Sequence, residues 1–213
     1  MFFQGNPVKT LVIANQKGGV GKTTIAGHLA VMAEQVGDGP VVLIDTDPQG
    51  SLASWWNARE AVAPAFSQAN ISDLSASIAA LKASGVKLLI IDTPPAVTDT
   101  ILAVLAVADL VLIPTRPSPH DLRAVGATVS MVEQVKKRMV FVINGAANRA
   151  KITGDAAIAL SQHGTVAPVI LYQRTDLASS MIDGRTAQEI DPASKAADEI
   201  TQLWKYASTH LRK

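Results

Sequence analysis

The segment Asn15-Gln16-Lys17-Gly18-Gly19-Val20-Gly21-Lys22-Thr23-Thr24 decides the fold. It follows the apolar run Leu11–Ala14 and leads into a stretch of helical periodicity from Thr23 to Val36. A glycine-rich turn between a strand and a helix, closed by Lys-Thr, is typical of a phosphate-binding loop, because its backbone N–H groups and the helix N-terminus attract anions. The sequence therefore predicts a phosphate site at this turn.

Each residue type in the loop suits one contact with a nucleotide or its metal ion. The Lys22 ammonium is expected at the β- and γ-phosphates, and the Thr23 hydroxyl on Mg²⁺. ATP and Mg²⁺ are the predicted cofactors, and the nucleotide-binding set is Gly18, Gly19, Val20, Gly21, Lys22, Thr23 and Thr24, the last at the α-phosphate. The general pattern has glycine at position 16, whereas this chain has Gln16 there and a second lysine, Lys17, next to it.

Carboxylates follow two further apolar runs. Val41–Ile44 leads into Asp45-Thr46-Asp47-Pro48-Gln49-Gly50, and Leu88–Ile91 leads into Asp92. Ligands of parallel α/β sheets bind beyond the carboxyl ends of the strands, so these side chains are expected beside the phosphate loop. A competing interpretation is that Asp45 and Asp47 only cap the next helix, since aspartate is a common N-cap residue.

Short apolar runs alternate with helical periodicity along the whole chain. Buried parallel strands are predicted at Leu11–Ala14, Val41–Ile44, Leu88–Ile91, Leu110–Ile113, Val140–Ile143 and Val169–Leu171. Helices are predicted at Thr23–Val36, Ser72–Ser84, Thr98–Val107, Pro119–Lys137, Thr153–His163 and Pro192–Leu211. With right-handed crossovers, this alternation predicts an α/β fold, a doubly wound, mostly parallel sheet with helices on both faces.

The composition limits the class of protein. The 213 residues, 48% hydrophobic and 17% charged, suit one globular domain, expected at residues 8–213. Residues 1–7 are expected to be a cloning remnant or a disordered start, because Phe3-Gln4-Gly5 resembles the scar of a protease site. The lack of cysteine excludes disulfides, thiolate zinc sites and Cys-ligated iron–sulfur clusters. The apolar runs fall far short of the ~20 residues that span a bilayer, and a cytoplasmic location is expected.

Three segments resemble those of a known family over most of the chain. Lys17 to Thr24, Asp45 to Gly50 and Leu88 to Pro95 are similar to the deviant Walker A loop, the D-x-D-P-Q-G segment and the Walker B strand of the ParA/MinD ATPases, and of small ParA-type partitioning ATPases in particular. The resemblance implies a P-loop NTPase that hydrolyses ATP to ADP and phosphate and forms a homodimer in the ATP state.

The resemblance also implies roles for single residues. The catalytic set is Lys17, Lys22 and Asp47, in which Lys17 reaches the nucleotide of the partner subunit and Asp47 orients the attacking water. The metal set is Thr23, Asp45 and Asp92, whose carboxylates act through water. Asn144, after the fifth apolar run, is expected against the adenine.

The partners implied by the resemblance are double-stranded DNA, bound without sequence preference, and a ParB-like activating protein. The DNA-binding residues expected are Arg174, Arg185 and Lys195, brought together by dimerisation, so that the ATP state is nucleoid-associated. The positive net charge lies in the C-terminal half, which carries these three residues. Residues 1–106 hold 6 Lys/Arg and 8 Asp/Glu (6 − 8 = −2), and residues 107–213 hold 13 and 10 (13 − 10 = +3).

Two alternatives remain open from the sequence. A MinD-like membrane-associated ATPase would use the apolar stripe of the last helix, although a helix docked on the core has the same stripe, and the expectation is against a membrane partner. A P-loop metabolic enzyme of dethiobiotin-synthetase type is disfavoured by Lys17, because such an enzyme needs no lysine in trans. The related nitrogenase-reductase type is excluded by the lack of cysteine.

Overall fold

The strands form one seven-stranded, fully parallel sheet. The computed structural model describes residues 8–69, 73–96 and 98–213. The strands are β1 (Lys9–Ile13), β2 (Val41–Asp45), β3 (Ala65–Phe66), β4 (Leu88–Asp92), β5 (Leu110–Thr115), β6 (Met139–Ala146) and β7 (Thr165–Tyr172). Their order across the sheet is β3-β2-β4-β1-β5-β6-β7. The predicted remnant at residues 1–7 lies outside the described residues, as does Ser72, where a helix is predicted to begin.

Helices connect the strands and cover both faces of the sheet. They are α1 (Lys22–Gln35), α2 (Ser51–Asn57), α3 (Leu74–Ala83), α4 (Asp99–Ala106), α5 (Pro119–Gln134), α6 (Lys151–Ser161), α7 (Thr175–Ser179), α8 (Ala187–Ile190) and α9 (Lys195–Leu211). A 3₁₀ turn at Ser180–Asp183 follows α7. The predicted doubly wound α/β fold is confirmed, and the sheet is parallel throughout.

The strand sequences explain why the sheet has two apolar faces. Successive strand side chains point to opposite faces, and each central strand is apolar on both. Leu11 and Ile13 of β1 pack with α1 and α9, whereas Val12 packs on the other side with α4 and α5. The two-residue β3 was missed by sequence reasoning, because it contains no apolar run from which a strand could be predicted.

The last helix completes the core. Its apolar stripe, formed by Ala196, Ala197, Ile200, Leu203, Trp204, Ala207 and Leu211, is buried. Helix α9 packs on α1 and β7, so the stripe is engaged within the fold and the packing interpretation is confirmed. Among the described residues, no helix is both long and apolar enough to cross a membrane.

His28 is a buried link between α1 and the C-terminal part of the chain. Its Nε2 accepts a hydrogen bond from the N–H of Ala187 at 3.1 Å, so its Nδ1 carries the proton and donates to the carbonyl of Thr24 at 2.8 Å. The carbonyl of His28 accepts from the side chain of Gln188 at 2.7 Å. Burial lowers the pKa of His28 from 6.5 to about 4, against the hydrogen bond to Thr24 and the charge of Glu189. The imidazole therefore folds into its site in the neutral form.

The buried imidazole predicts a loss of stability in mild acid. The unfolded chain binds a proton at His28 below pH 6.5 and the folded chain only below about pH 4, so the free energy of unfolding falls as the pH drops through that window. Its full contribution is about 3 kcal/mol. Urea denaturation of the wild type and His28→Gln between pH 7 and 5 measures it, and the variant is expected to lack this part of the pH dependence. Equal pH slopes for the two proteins would contradict the assignment.

Candidate functional site

The phosphate loop leaves β1 at the carboxyl edge of the sheet and enters α1 at Gly21. Gly21 is the N-cap of α1 and has φ +92°, in the left-handed region that glycine adopts without strain. A Cβ atom there would also overlap the side-chain amide of Asn144. Backbone conformation and close approach thus both require glycine, and the N-terminus of α1 opens directly onto the loop.

Two residues that sequence reasoning did not assign hold the loop in place. The buried amide of Asn15 donates to the carbonyl of Pro114 at 2.7 Å and accepts from the N–H of Lys17 at 2.8 Å. The N–H of Gln16 donates to the Thr128 hydroxyl of α5 at 3.0 Å. An asparagine directly after a buried strand was the available signal for the first contact. The Thr128 contact, 112 residues away in the chain, had no local signal.

Lys22 is a buried cation with little compensation. Lys22 is only 7% exposed, and its Nζ donates one long hydrogen bond, of 3.3 Å, to the carbonyl of Lys17. Burial lowers the pKa of Lys22, opposed by the charges of Asp92 and Asp47. An ammonium has three donors, so this group can still bind an anion. The loop residues therefore fit the phosphates that the sequence predicts.

Thr23, Asp92 and Asp45 lie together at the ends of the first helix and two adjacent strands. The Thr23 hydroxyl donates to Oδ2 of Asp92 at 2.6 Å, and Asp45 is the partner of Asp92 in the register of β2 and β4. Burial raises the pKa of Asp92 to about 7 against its hydrogen bond to Thr23, and the charge of Asp45 raises it further. A buried carboxylate in this setting gains from a cation placed beside it.

The donor set at these residues fits Mg²⁺. Hydroxyl and carboxylate oxygens are the ligands that Mg²⁺ prefers, and this ion is usually held by one or two protein groups, waters and substrate phosphates. Within residues 8–69, 73–96 and 98–213, no group of three or more His, Asp or Glu side chains could hold a metal on its own. A metal at Thr23 and Asp92 would therefore depend on a bound nucleotide for the rest of its ligands.

The two aspartates after β2 have different surroundings. Oδ2 of Asp45 accepts from the N–H groups of Leu52 and Ala53 at 2.9 and 3.0 Å, and Oδ1 accepts from Asp47 at 3.0 Å. Asp45 thus caps the start of α2, as the competing interpretation has it, and its predicted metal role remains a prediction. Asp47 holds the N–H of Gln49 with Oδ1 at 2.9 Å and lines the cleft.

A cleft of about 1360 Å³ surrounds the loop and brings most of the predicted site residues together. Gly18, Gly19, Gly21, Lys22, Thr23, Thr24, Asp47 and Asn144 line it. The amide of Asn144 donates to the carbonyl of Val20 at 2.6 Å, so this side chain lies over the loop at the cleft wall. Lys17 is exposed at the head of the loop and forms no ion pair with the described residues.

The three predicted DNA-binding residues differ in their contacts. Arg174 lines the nucleotide cleft, binds Glu199 at 2.6 Å and lies 5.5 Å from the centre of the Tyr172 ring. Arg185 is exposed and pairs with Asp183 at 2.6 Å. Lys195 is exposed at the start of α9 and has no ion pair within the described residues. Arg174 is therefore a structural residue of the cleft wall, because its guanidinium is already paired with Glu199.

Helix α2, which follows Asp47, is attached to the segment that carries Arg185. The indole N–H of Trp55 donates to the carbonyl of Arg185 at 3.0 Å. The buried guanidinium of Arg59 binds both carboxylate oxygens of Glu189, at 2.8 and 3.1 Å, and lies 4.9 Å from the Trp55 ring centre. Gly184, at φ +78°, has no room for a Cβ beside the backbone of Arg59. Sequence reasoning missed the Arg59 contacts, which join residues 130 positions apart.

The chain is similar to a known family and to several known proteins. The profile described as CobQ/CobB/MinD/ParA nucleotide binding domain matches residues 11–187. Maintenance of carboxysome distribution protein A of Halothiobacillus neapolitanus is 31% identical over 210 residues, which cover 93% of this chain and 95% of that protein. The chromosome-partitioning ATPase Soj of Thermus thermophilus is 29% identical over 61% of this chain and 63% of its own length.

Solved structures show the same fold at low sequence identity. McdA of Cyanothece in complex with ATP has a TM-score of 0.76 at 22% identity, covering 98% of both chains. MinD of Pyrococcus horikoshii in complex with Mg-ADP has a TM-score of 0.78 at 16% identity, covering 94% of this chain and 96% of that one.

Replacing the buried ammonium should stabilise the free protein while removing phosphate binding. Lys22→Met keeps the stem of the side chain and removes a charge that has only one long hydrogen bond. We expect the free energy of unfolding without nucleotide to rise by about 1 kcal/mol. Urea denaturation measures stability, and calorimetric titration with ATP should show no binding. A variant that is destabilised, or that binds ATP like the wild type, would contradict this description of Lys22.

Proposed function

The chain belongs to the CobQ/CobB/MinD/ParA nucleotide-binding family, and on that premise we propose that it is a ParA-type ATPase that positions a large cargo. In the proposed cycle, ATP joins two copies face to face, and the dimer binds double-stranded DNA without sequence preference. A ParB-like partner then stimulates slow hydrolysis to ADP and phosphate. The similarity to a carboxysome distribution protein over 95% of that protein's length supports a role in positioning a cargo. The similarity to the chromosome-partitioning ATPase Soj supports the same role.

One observation carries the proposal: two lysines of the same loop lie in opposite environments. Lys22 is buried beneath the loop, whereas Lys17 is exposed at its head with no ion pair among the described residues. A buried lysine suffices to hold the phosphates of its own subunit. The exposed one is free to neutralise a triphosphate that a second subunit brings close, which makes dimerisation depend on bound ATP.

The residues divide the proposed chemistry among them. The N–H groups of residues 18–24 and the Lys22 ammonium bind and orient the phosphates. Thr23 would hold Mg²⁺ directly, and Asp92 would hold it through a water molecule. When bound, Mg²⁺ neutralises charge on the β- and γ-phosphates. Asp47, through its second oxygen, orients the attacking water. Water adds to the γ-phosphorus as its bond to the bridging oxygen breaks, giving ADP, phosphate and a proton.

We further propose that residues 8–213 form one domain and act in the cytoplasm, on the nucleoid in the ATP state. One continuous sheet and the packing of α9 against α1 and β7 support a single domain. The membrane alternative loses its main support, because the apolar stripe of α9 is buried in the core. The exposed position of Lys17 favours the dimerising ATPase over the metabolic ligase.

Two substitutions should block the cycle at opposite points. Lys17→Ala should bind ATP as a monomer, since Lys22 and Thr23 are unchanged, and Asp47→Ala should bind ATP, dimerise and fail to hydrolyse it. Light scattering in ATP and in ADP measures the mass, and phosphate release measures turnover. Gln16→Ala, beside Lys17 in the loop, is the control for Lys17→Ala and should still dimerise. A fully dimeric Lys17→Ala, or normal phosphate release by Asp47→Ala, would refute the corresponding role.

The DNA proposal is tested by the salt dependence of binding in the ATP state. If each subunit supplies about three phosphate contacts on dimerisation, the logarithm of affinity should fall with that of salt at a slope near −5, roughly −0.9 for each of ~6 phosphates. Arg185→Ala and Lys195→Ala should each reduce this slope by about 1 to 2, because each substitution occurs twice in the dimer. Lys205→Ala, an exposed change on α9, is the matched control. Arg174→Ala is less informative, since it also releases Glu199. Slopes unchanged by Arg185→Ala and Lys195→Ala would reject this surface.

A further inference from the structure

Positive charge collects at the end of the sheet opposite the nucleotide cleft. In a parallel α/β fold the helices end, and the strands begin, at that end. Eight cations lie there, within the segments that join a helix end to a strand start or close the chain: Lys9, Lys82, Lys87, Lys136, Lys137, Arg138, Arg212 and Lys213. We call these eight residues the basic end. The acids of the same end are Glu34, Asp38, Asp109 and Glu133; the segment between α2 and β3 adds Arg59 and Glu60, whose charges cancel.

The basic end and the rest of the molecule have formal charges of opposite sign. The basic end with its four acids carries 8 − 4 = +4, and the remaining 11 Lys/Arg and 14 Asp/Glu give 11 − 14 = −3. Their sum is the net charge of +1. Neither the near-neutral total charge nor the charges of the two sequence halves reveal this separation. The charges are separated along the direction of the strands and not along the sequence.

Three of the four acids at this end are already engaged, whereas most of the cations form no ion pair within the described residues. Asp38 accepts from Trp204 at 3.0 Å and from Arg212 at 2.8 Å, Asp109 accepts from the N–H of Thr10 at 2.8 Å, and Glu34 accepts from the N–H of Val41 at 2.7 Å. Within the described part of the chain, Lys82, Lys87, Lys136 and Lys137 form no ion pair. These four lysines therefore remain available to an outside anion, whereas Lys9 and Arg212 already pair with Asp109 and Asp38.

Lys136 occupies a position that favours glycine. Helices α1, α3 and α5 end in the same pair of backbone hydrogen bonds, made after α5 by Lys136 to Glu133 and Lys137 to Val132. The residue in the left-handed conformation is Gly37 after α1, at φ +81°, and Gly85 after α3, at φ +85°. After α5 it is Lys136, at φ +54°. The chain thus has a lysine at a position where a side chain costs stability, which points to a use for its charge.

The basic end forms an extended row with a recess at one side. Lys87, Lys9 and Arg138 stand at the starts of β4, β1 and β6, and the three strand spacings from β4 to β6 amount to about 14 Å. A recess of about 430 Å³ lies beside this row, and Lys9, Lys87, Arg212, Asp38 and Trp204 are among the residues that line it. A row of this length matches several successive charges of a linear polyanion better than it matches a single small anion.

We propose that the basic end binds the phosphodiester backbone of double-stranded nucleic acid, in the monomer and without nucleotide. This contact is separate from the dimer-dependent surface proposed above and does not rest on it. A membrane fits less well, because stable binding at a lipid surface needs apolar side chains that insert. Two of the six large exposed apolar residues of the described chain, Val36 and Val62, lie in segments that join a helix end to a strand start, and neither is in a segment that carries the eight cations.

The test measures stability and affinity on the same substitution. Lys136→Gly should raise Tm by about 2–4 °C, since glycine adopts the left-handed conformation without strain, and at the same time weaken binding to a short duplex of mixed sequence. In the absence of nucleotide, about four phosphate contacts should give a salt slope near −3 to −4, and Lys136→Gly and Lys87→Gln should each reduce it by about 1. Lys151→Gln, which removes an exposed charge at the opposite end, is the matched control.

These measurements test the basic end separately from the ATP-dependent surface. Loss of slope in Lys136→Gly and Lys87→Gln but not in Lys151→Gln supports the basic end, and the same result in the Lys22→Met background would show that it needs no nucleotide. Equal slopes for all the variants, or an equal loss in Lys151→Gln, would overturn it. So would binding to vesicles of anionic lipid together with no binding to the duplex. The ATP-dependent surface is judged separately, by Arg185→Ala and Lys195→Ala in the ATP state.

Discussion

The parallel register of β2, β4 and β1 is the constraint on which the site depends. Asp45 is level with Asp92, and Asp92 is level with Ile13, the last residue of β1 before the phosphate loop. The strand register alone therefore brings the two carboxylates and the loop to the same edge of the sheet. Because β1, β2 and β4 are buried on both faces, a slip of one residue would exchange their two apolar faces and displace the carboxylates from the loop together.

The C-terminal segment is attached to the nucleotide site by two separate sets of bonds. His28, within α1, holds Ala187 and Gln188, and Arg59, just after α2, holds Glu189. Helices α1 and α2 follow the two loops that would contact phosphate, so both loops are connected to residues 185–190. A movement of α2 must either carry that segment along or break a buried ion pair, and the second is costly. This gives a physical route by which the nucleotide could influence Arg185.

Much of the fold and part of the site could be predicted from local sequence. Six of the seven strands follow from apolar runs, and the loop, Asp92 and Asn144 follow from residue types at strand ends. Other features depend on contacts that no local pattern records. Asp45 caps α2 because that helix starts beside it, Arg174 is held by Glu199 of α9, and Arg59 meets Glu189 across the fold. The charge of the basic end also appears only in three dimensions, because its members come from four separate parts of the chain.

The separation of charge gives the molecule a lasting electric dipole along its strands. A net charge of +4 at the basic end and −3 spread over the rest of the molecule is enough for the field of a polyanion to exert a torque on the protein before contact. The molecule would then arrive with its strand starts foremost and its nucleotide cleft turned outward, toward solvent and other copies. At physiological ionic strength this alignment acts only within about 8 Å, so it orders the final approach and not the long-range search.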